Sequence, residues 1–239
     1  MAKTEKNNDD WTGPIENKIF KDIVFNELTI RKSKITNSTF SNCNFKNCYL
    51  GFDVQYLNCE FNKCKFDGKY SSLGRPAEYN NCKFIECQFV GSNLLEGVDF
   101  FSCTISGKIK NVILKDEHPK IENCRTTFKQ CDLSTVIFDN VSIYGHQIFK
   151  DTLLPTTGIR SFDNVNDVLI KRAVQICSYI KDNSKIESEV IFRPTLRSGQ
   201  DLIILDIPLI NSLFADQSSK DLFEKIVDGY ELKDKKISS

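Results

Sequence analysis

Residues 38–50 read S-T-F-S-N-C-N-F-K-N-C-Y-L and contain a pattern that returns every five positions. Large apolar side chains stand at Phe40, Phe45 and Leu50, and a small side chain stands two positions before each of them. An internal repeat of fixed period predicts a chain built by stacking copies of one small structural unit.

The same register continues on both sides of this stretch, from Ile23 to Ile143. The small and large positions define the ladder of side chains that we predict to be buried. It comprises Phe40, Cys43, Phe45, Cys48, Leu50, Cys59, Phe61, Cys64, Phe66, Cys82, Phe84, Cys87, Phe89, Phe128, Cys131, Leu133 and Phe138.

Neither a helix nor one straight strand can bury these residues together. Five residues advance about 500° around an α-helix, so the large side chains would form no stripe. On a single strand, an odd spacing of five places successive large residues on opposite faces. Within each unit, however, the small and large residues are two apart and share a face. A chain that turns a corner after every unit would point all pairs at one axis, as in a solenoid.

The units S-N-C-N-F, K-N-C-Y-L, N-K-C-K-F and I-E-C-Q-F resemble those of pentapeptide-repeat proteins. The resemblance implies a mainly β fold, a right-handed quadrilateral β-helix with four units per coil. About twenty units would make about five coils, roughly 24 Å tall at the usual spacing between strands. We predict that residues 18–148 form this β-helix after a polar N-terminal tail, residues 1–17.

Two segments interrupt the period and are predicted to be loops leaving the rod. The first, Asp67 to Glu78, contains glycine and proline, and the second covers residues 110–123. Such insertions are often only tolerated on a surface, but recognition residues also concentrate on loops of rigid scaffolds. The candidate partner-binding residues in them are Lys69, Tyr70, Arg75, Glu117 and His118.

Residues 149–239 lack the five-residue period and are predicted to form an α-helical module. Helical spacing covers residues 163–183 and 185–192, and Pro208 can open a short helix through Phe214. Ser218 or Ser219 can cap a final helix that Gly229 ends. The module either caps the solenoid or binds a partner, and the resemblance implies a homodimer formed through these helices.

The charges balance, which bears on two classes of partner. Lys plus Arg and Asp plus Glu both number 32, and residues 18–148 hold 17 basic and 14 acidic side chains. This excess is too small to predict direct nucleic-acid binding. Pentapeptide-repeat proteins that give quinolone resistance are strongly acidic DNA mimics that bind DNA gyrase. The neutral charge disfavours that alternative without removing it.

The sequence contains no recognised arrangement of catalytic or metal-binding residues. It has only two His, and Cys pairs such as Cys43 and Cys48 have four residues between them, where zinc sites use two. We therefore predict no catalytic, cofactor or metal site. A polar start and the lack of a long apolar run predict a cytoplasmic protein with reduced, buried cysteines and no membrane segment.

These observations predict a non-enzymatic bacterial or phage-type scaffold that binds an unidentified protein. The first alternative is a modulator or protector of DNA gyrase or topoisomerase. The second is a ligand-binding or enzymatic module in the C-terminal region.

Overall fold

A computed structural model of the chain describes residues 3–67, 70–115, 125–144, 148–162, 172, 175, 203–213, 216–229 and 236–237. These residues form 24 short strands and two helices. The strands stack into a β-solenoid of about six turns, followed by a short helical part. The predicted mainly β solenoid is confirmed.

The first strands, before the first insertion, are β1 (Thr4–Asn7), β2 (Asp10–Thr12), β3 (Ile15–Glu16), β4 (Ile19–Lys21), β5 (Ile23–Asn26), β6 (Thr29–Thr36), β7 (Thr39–Ser41), β8 (Asn44–Lys46), β9 (Tyr49–Leu57), β10 (Glu60–Asn62) and β11 (Lys65–Asp67). The remaining strands of the repeat region are β12 (Ala77–Asn80), β13 (Lys83–Val90), β14 (Val98–Phe101), β15 (Thr104–Lys110), β16 (Ile113–Lys115), β17 (Thr127–Lys129), β18 (Val136–Asp139) and β19 (Ser142–Tyr144). The C-terminal elements are β20 (Phe149–Lys150), β21 (Thr152–Leu153), β22 (Ile159–Phe162), β23 (Ile203–Asp206), α1 (Ile207–Leu213), α2 (Gln217–Val227) and β24 (Lys236–Ile237).

Four consecutive units make one turn of the solenoid. Phe40, Phe45, Leu50 and Tyr56 belong to one turn and lie on four different faces. Each face continues into the next turn by parallel pairing, as where Phe40 lies opposite Phe61. The resulting coil is four-sided.

The solenoid is about one turn longer than the five coils that the repeat count predicts. At the N-terminal end, Trp11 lies opposite Ile30, so strands β1 to β3 fall within the predicted polar tail. At the other end, Phe149 continues the column above Phe128. Thr4 and Lys6 lie opposite Ile23 and Phe25, so polar residues occupy two positions of the apolar repeat, which hid this turn from the repeat count.

Parallel pairing places like side chains directly above one another in the core. Phe20, Phe40, Phe61 and Phe84 form one column in which neighbouring ring centroids lie 4.7–4.8 Å apart with nearly parallel planes. The spacing of parallel strands, about 4.8 Å, matches the distance at which aromatic rings can stack. Backbone pairing and ring packing therefore favour the same register.

The corners of the coil depend on left-handed backbone conformations. The residue two positions after a large core residue has a positive φ at nearly every corner, including Asn42 (φ 50°) and Asn58 (φ 53°). Asn adopts this conformation more readily than most residues. At one edge, Asn81 Nδ2 donates to Asn58 Oδ1 at 2.7 Å, and Asn58 Nδ2 donates to Asn37 Oδ1 at 3.3 Å. The corners are thus tied to one another along the rod.

Most of the first predicted loop is part of the coil, so the loop prediction was wrong for residues 71–76, whereas Ala77 and Glu78 belong to a repeat unit as predicted. The Ser71 hydroxyl donates to the Asp67 carbonyl at 2.9 Å, and buried Leu73 takes an inward position. A Cβ on Gly74 would lie only 2.3 Å from the Gly97 carbonyl oxygen. This glycine, which suggested a loop, allows one turn to approach the next.

The second predicted loop also begins later than the sequence indicates. Val112 and Leu114 are buried, and β16 pairs in parallel with β19. The broken five-residue spacing concealed this strand. Residues 116–124 lie outside the described residues.

The C-terminal segment contains strands as well as the predicted helices. The apolar residues around Leu205 form β23, which runs antiparallel to both β19 and β22 and so extends the last turn. Helix α2 is capped by Asp216, whose Oδ1 accepts from the Ser219 backbone N–H at 2.8 Å; the predicted Ser218 or Ser219 cap was wrong. The predicted helices at 163–183 and 185–192 lie outside the described residues, apart from helical positions 172 and 175.

A carboxylate joins the C-terminal segment to the coil. Asp206 is 1 % exposed; its Oδ1 accepts from the Leu209 backbone N–H at 2.5 Å and its Oδ2 from that of Val141. One side chain therefore accepts hydrogen bonds from the Leu209 N–H, at the start of α1, and from the Val141 N–H, in the last turn of the coil. Burial raises the pKa of this carboxyl, while the backbone N–H groups oppose the shift.

Candidate protein-interaction groove

The described interior of the solenoid is filled by its own side chains. All seventeen predicted ladder residues are buried, with exposed fractions of 5 % or less. A functional site is therefore expected on the outer surface of the coil.

The cysteines in this interior behave as packing residues. The eight described cysteines are free and buried. Their thiols donate to backbone carbonyls, as where Cys64 Sγ lies 3.2 Å from the Phe40 oxygen of the turn below. Burial raises the pKa of the Cys48 thiol to about 11, so it stays protonated at neutral pH. A buried neutral thiol is a poor nucleophile.

Metal binding has no support among the residues that the structure describes. These contain no group of three His, Cys, Asp or Glu side chains placed to hold an ion. Within the same part of the chain, no helix is long and apolar enough to cross a bilayer.

Two of the predicted partner-binding residues, Tyr70 and Arg75, lie in the described part of the chain. Tyr70 is 60 % exposed at the edge of the coil. Arg75 instead pairs with Glu96 at 2.5 Å, linking two successive turns. Lys69, Glu117 and His118 lie outside the described residues.

Tyr70 lies at one end of an open groove of about 490 Å³ on the N-terminal half of the rod. The groove follows one corner of the coil across three turns. Its lining combines a column of corner residues with the outward-facing residues of the next face, and Asp9 and Tyr70 complete it. The two columns are Asn8, Glu27 and Asn47, and Asp10, Thr29 and Tyr49.

The lining of the groove is acidic and aromatic. Among the residues that the structure describes, the lining contains the carboxylates of Asp9, Asp10 and Glu27 and no basic side chain. Asp10 forms a bidentate ion pair with Arg31, a residue of the turn above that lies outside the lining. The Tyr49 and Tyr70 rings supply apolar surface next to these charges. Sequence reasoning identified Tyr70 and missed the others, because they come from different turns and meet only through the register.

The remaining outer surface carries mixed charge. Along the face beside the Tyr56 column, the outward residues of successive turns are Lys34, Gln55, Glu78 and Asp99. Some charges on other faces are paired between turns, as in Lys63–Glu86 and Lys108–Asp139. The described faces do not form the continuous acidic stripe that DNA mimicry requires.

Comparison with known proteins gives matches only among solved structures. No protein-family model and no curated protein matches the chain. Full-length QnrB1, a plasmid-mediated fluoroquinolone resistance protein, is 15 % identical, with 62 % of this chain and 75 % of QnrB1 covered and a TM-score of 0.31. A trypsin-treated variant of QnrB1 is also 15 % identical, with 65 % and 70 % covered and a TM-score of 0.30. Likenesses at this level carry no functional information.

The repeat in the sequence accounts for the coil that the chain forms. Each unit of about five residues contributes a small and a large side chain to the core. Four such units close one turn, and parallel pairing stacks the turns. The chain therefore has the four-sided β-solenoid fold that its resemblance to pentapeptide-repeat proteins implies.

Proposed function

We propose that this protein is a non-enzymatic scaffold that binds another protein through the outer surface of its β-helix. The observation that carries the proposal is the groove between Glu27 and Tyr70, an open concavity whose described lining is acidic and aromatic. Aromatic side chains beside charged groups are typical of residues that anchor protein interfaces.

The rigidity of the rod supports this role. The groove residues other than Tyr70 lie on or beside strands that are held by parallel backbone pairing in three successive turns. A surface fixed in this way loses little conformational freedom when a partner binds, which favours affinity.

Gyrase or topoisomerase protection is the alternative function. QnrB1 is a fluoroquinolone resistance protein, and for this chain a protective role of that kind is a hypothesis for testing only. The mixed charge of the described faces weighs against a DNA mimic.

Other parts of the proposal concern location and assembly. That the protein is bacterial and cytoplasmic stays a prediction, as does the formation of a homodimer through the C-terminal helices. The apolar residues of α2, among them Phe223 and Ile226, are buried within the chain, and Phe223 packs edge-on against Phe162. A dimer would therefore need to use other surface of these helices. A ligand-binding C-terminal module is the third hypothesis.

Affinity capture with the full chain tests the proposal. Captured proteins are identified from a bacterial lysate, purified and titrated directly against the full chain, with gyrase subunits included in the panel. A double variant, Glu27→Gln with Tyr70→Ala, reports on the groove, and Glu60→Gln on another face is the control. Direct binding that the double variant weakens supports the proposal. A folded protein that binds no purified candidate contradicts it, and protection of gyrase from a quinolone in a supercoiling assay favours the alternative.

A further inference from the structure

Seven of the eight described cysteines form two columns inside the solenoid. The register that places Phe45 opposite Phe66 also stacks the cysteines that stand two positions before each of them. The same relationship repeats from turn to turn and defines both columns. The first column consists of Cys43, Cys64 and Cys87, and the second consists of Cys59, Cys82, Cys103 and Cys131.

The thiols within a column point the same way. Each sulfur contacts the backbone carbonyl oxygen of a large core residue in the turn below, at 3.2–3.5 Å in the first column and 3.1–3.6 Å in the second. The Cys64 thiol hydrogen-bonds with the thiols of both Cys43 and Cys87. In the second column, the Cys103 sulfur lies 3.4 Å from the Cys82 backbone nitrogen. Each thiol of a column therefore lies next to the thiol of the adjacent turn.

The spacing of the turns suits a disulfide bond. Neighbouring parallel strands lie about 4.8 Å apart, and disulfides join cysteines whose Cα atoms are about 4.4–6.8 Å apart. Two adjacent thiols of a column can therefore form an S–S bond by rotation of their side chains, with little movement of the backbone. Cys43 and Cys87 are two turns apart, at about 10 Å, and cannot form this bond.

The thiols are unreactive while the coil is closed. The side chains of both columns are at most 2 % exposed. A neutral thiol without access to solvent is a poor nucleophile. Reaction therefore requires that one turn opens locally and admits an oxidant, as proteins do in their less stable parts. When that turn closes again, the register returns its cysteine to the neighbouring thiol.

We propose that the two columns are oxidation sites at which neighbouring turns of the solenoid become joined by disulfides. The oxidant is a small disulfide such as glutathione disulfide. A thiolate of the opened turn attacks it, forms a mixed disulfide and releases one glutathione. The neighbouring thiolate then attacks the protein sulfur and releases the second glutathione. Two protein thiols thus lose two protons and two electrons, and glutathione disulfide gains them as two glutathione molecules.

The consequence is a rod whose turns are held covalently as well as by backbone pairing. An S–S bond between adjacent turns prevents the coil from opening at that point. This inference goes beyond the proposed function and does not depend on it.

Mass spectrometry of the oxidised full chain tests the inference. Cys124 and Cys177 lie outside the described residues and are replaced by serine in every sample, so that every link found joins described cysteines. The folded protein is incubated with millimolar glutathione disulfide, free thiols are blocked with N-ethylmaleimide, and peptides are produced without reductant. We expect links only between neighbours within one column, such as Cys43 with Cys64.

Two variants establish whether the register decides the pairing. Cys64→Ala removes the middle thiol of the first column, which should then form no link while the second column still does. Cys48→Ala is the matched control, because Cys48 is equally buried but has Leu28 and Ser71 as its neighbours in the adjacent turns. This control should leave all links unchanged, and a thermal melt establishes that each variant is folded.

The melting temperature measures the effect of the links. The oxidised protein should melt at least about 5 °C above the reduced protein, because a disulfide restricts the unfolded chain. Addition of dithiothreitol should reverse this rise.

Several results would overturn the inference. One is a folded protein that forms no links, or only mixed disulfides with glutathione, under conditions that link the urea-unfolded chain. Another is a set of links that includes Cys48 as often as the column cysteines, since this indicates pairing in an unfolded chain. Links in the first column of Cys64→Ala contradict the role of the register, and a melting temperature that does not rise contradicts the covalent hold. Failure to find a protein partner affects only the proposed function.

Discussion

The ring of Phe61 stacks on the ring of Phe84 in the next turn, with centroids 4.7 Å apart and planes inclined by only 3°. Phe61 makes the same contact below with Phe40, at 4.8 Å and 4°. Its side chain is 2 % exposed. Phe61 is thus packed on both faces of its ring. The rings of Phe40 and Phe84 are fixed by the register of the strands, so they cannot move together to fill the space that removal of Phe61 would leave.

Replacing this ring should therefore leave a cavity. We expect Phe61→Ala to lower the free energy of unfolding by about 3–5 kcal/mol, measured by chemical denaturation. Phe61→Leu keeps most of the volume and should cost less than about 1.5 kcal/mol. A loss below about 1 kcal/mol in the alanine variant would contradict the stacked core.

The Asn58 corner gives a second prediction. Asn58 has φ 53° and takes part in the Asn37–Asn58–Asn81 ladder. Asn58→Val should lower the free energy of unfolding by about 1–3 kcal/mol, because a β-branched side chain is strained in this conformation.

Asn58→Gly separates strain from the ladder. Glycine accepts a positive φ without strain, so any loss in this variant reports the hydrogen bonds of the amide. If the valine and glycine variants lose equal stability, backbone strain has no role at this corner.

The Cys48 thiol predicts a dependence on alkaline pH. Burial raises its pKa from the ordinary value of 9.0 to about 11. The unfolded chain then loses the thiol proton at lower pH than the folded chain, so stability is full below pH 9 and falls as pH rises from about 9 to about 11.

Urea denaturation at pH 8, 9 and 10 measures this fall. Cys48→Ala should make the slope shallower, since one buried thiol has been removed. Thiol reagents at pH 8 should label the folded protein slowly at this position and the urea-unfolded protein at once. An unchanged slope in Cys48→Ala would show that Cys48 is not responsible.

Asp206 predicts a weak point between the coil and the C-terminal segment. Asp206→Ala leaves the Val141 and Leu209 backbone N–H groups without their acceptor, and should cost about 1–3 kcal/mol of unfolding free energy. Asp206→Asn keeps one acceptor oxygen and should cost less.

Hydrogen exchange gives the local measurement for this contact. The Val141 amide should exchange faster in Asp206→Ala than in the unchanged protein. Asp221→Ala, an exposed change on α2, is the control and should alter neither quantity. Unchanged exchange at Val141 in the Asp206→Ala variant would contradict the role of the carboxylate.

The fold was predictable because the repeat constrains the inside of the coil. The core accepts only a small and a large apolar residue two positions apart. The burial of Cys59 and Phe61 could therefore be predicted from their spacing in the sequence. The Asn that precedes many of the Cys, as at Asn42 and Asn58, was also visible. Its role became clear only with the positive φ of each corner.

The outer surface was less predictable, for a physical reason. Glu27 and Tyr70 meet in one groove only because the number of residues in each turn brings them together. Turn length varies, with 20 residues from Phe20 to Phe40 and 23 from Phe61 to Phe84. The segment around Gly74 makes its turn longer while staying inside the coil. If this segment is taken for a loop, the residues of the following turns are placed opposite the wrong partners.

The antiparallel strand β23 has a consequence for aggregation. Turns of like residues stacked in parallel register resemble the arrangement in amyloid fibrils, where an open strand edge recruits further chains. Strand β23 lies along the edge of β19 in the opposite direction and carries β22 on its far side. The C-terminal segment thereby covers the β19 edge, to which another chain could otherwise pair. We expect a chain cut before Ile203, which lacks β23, to seed filaments.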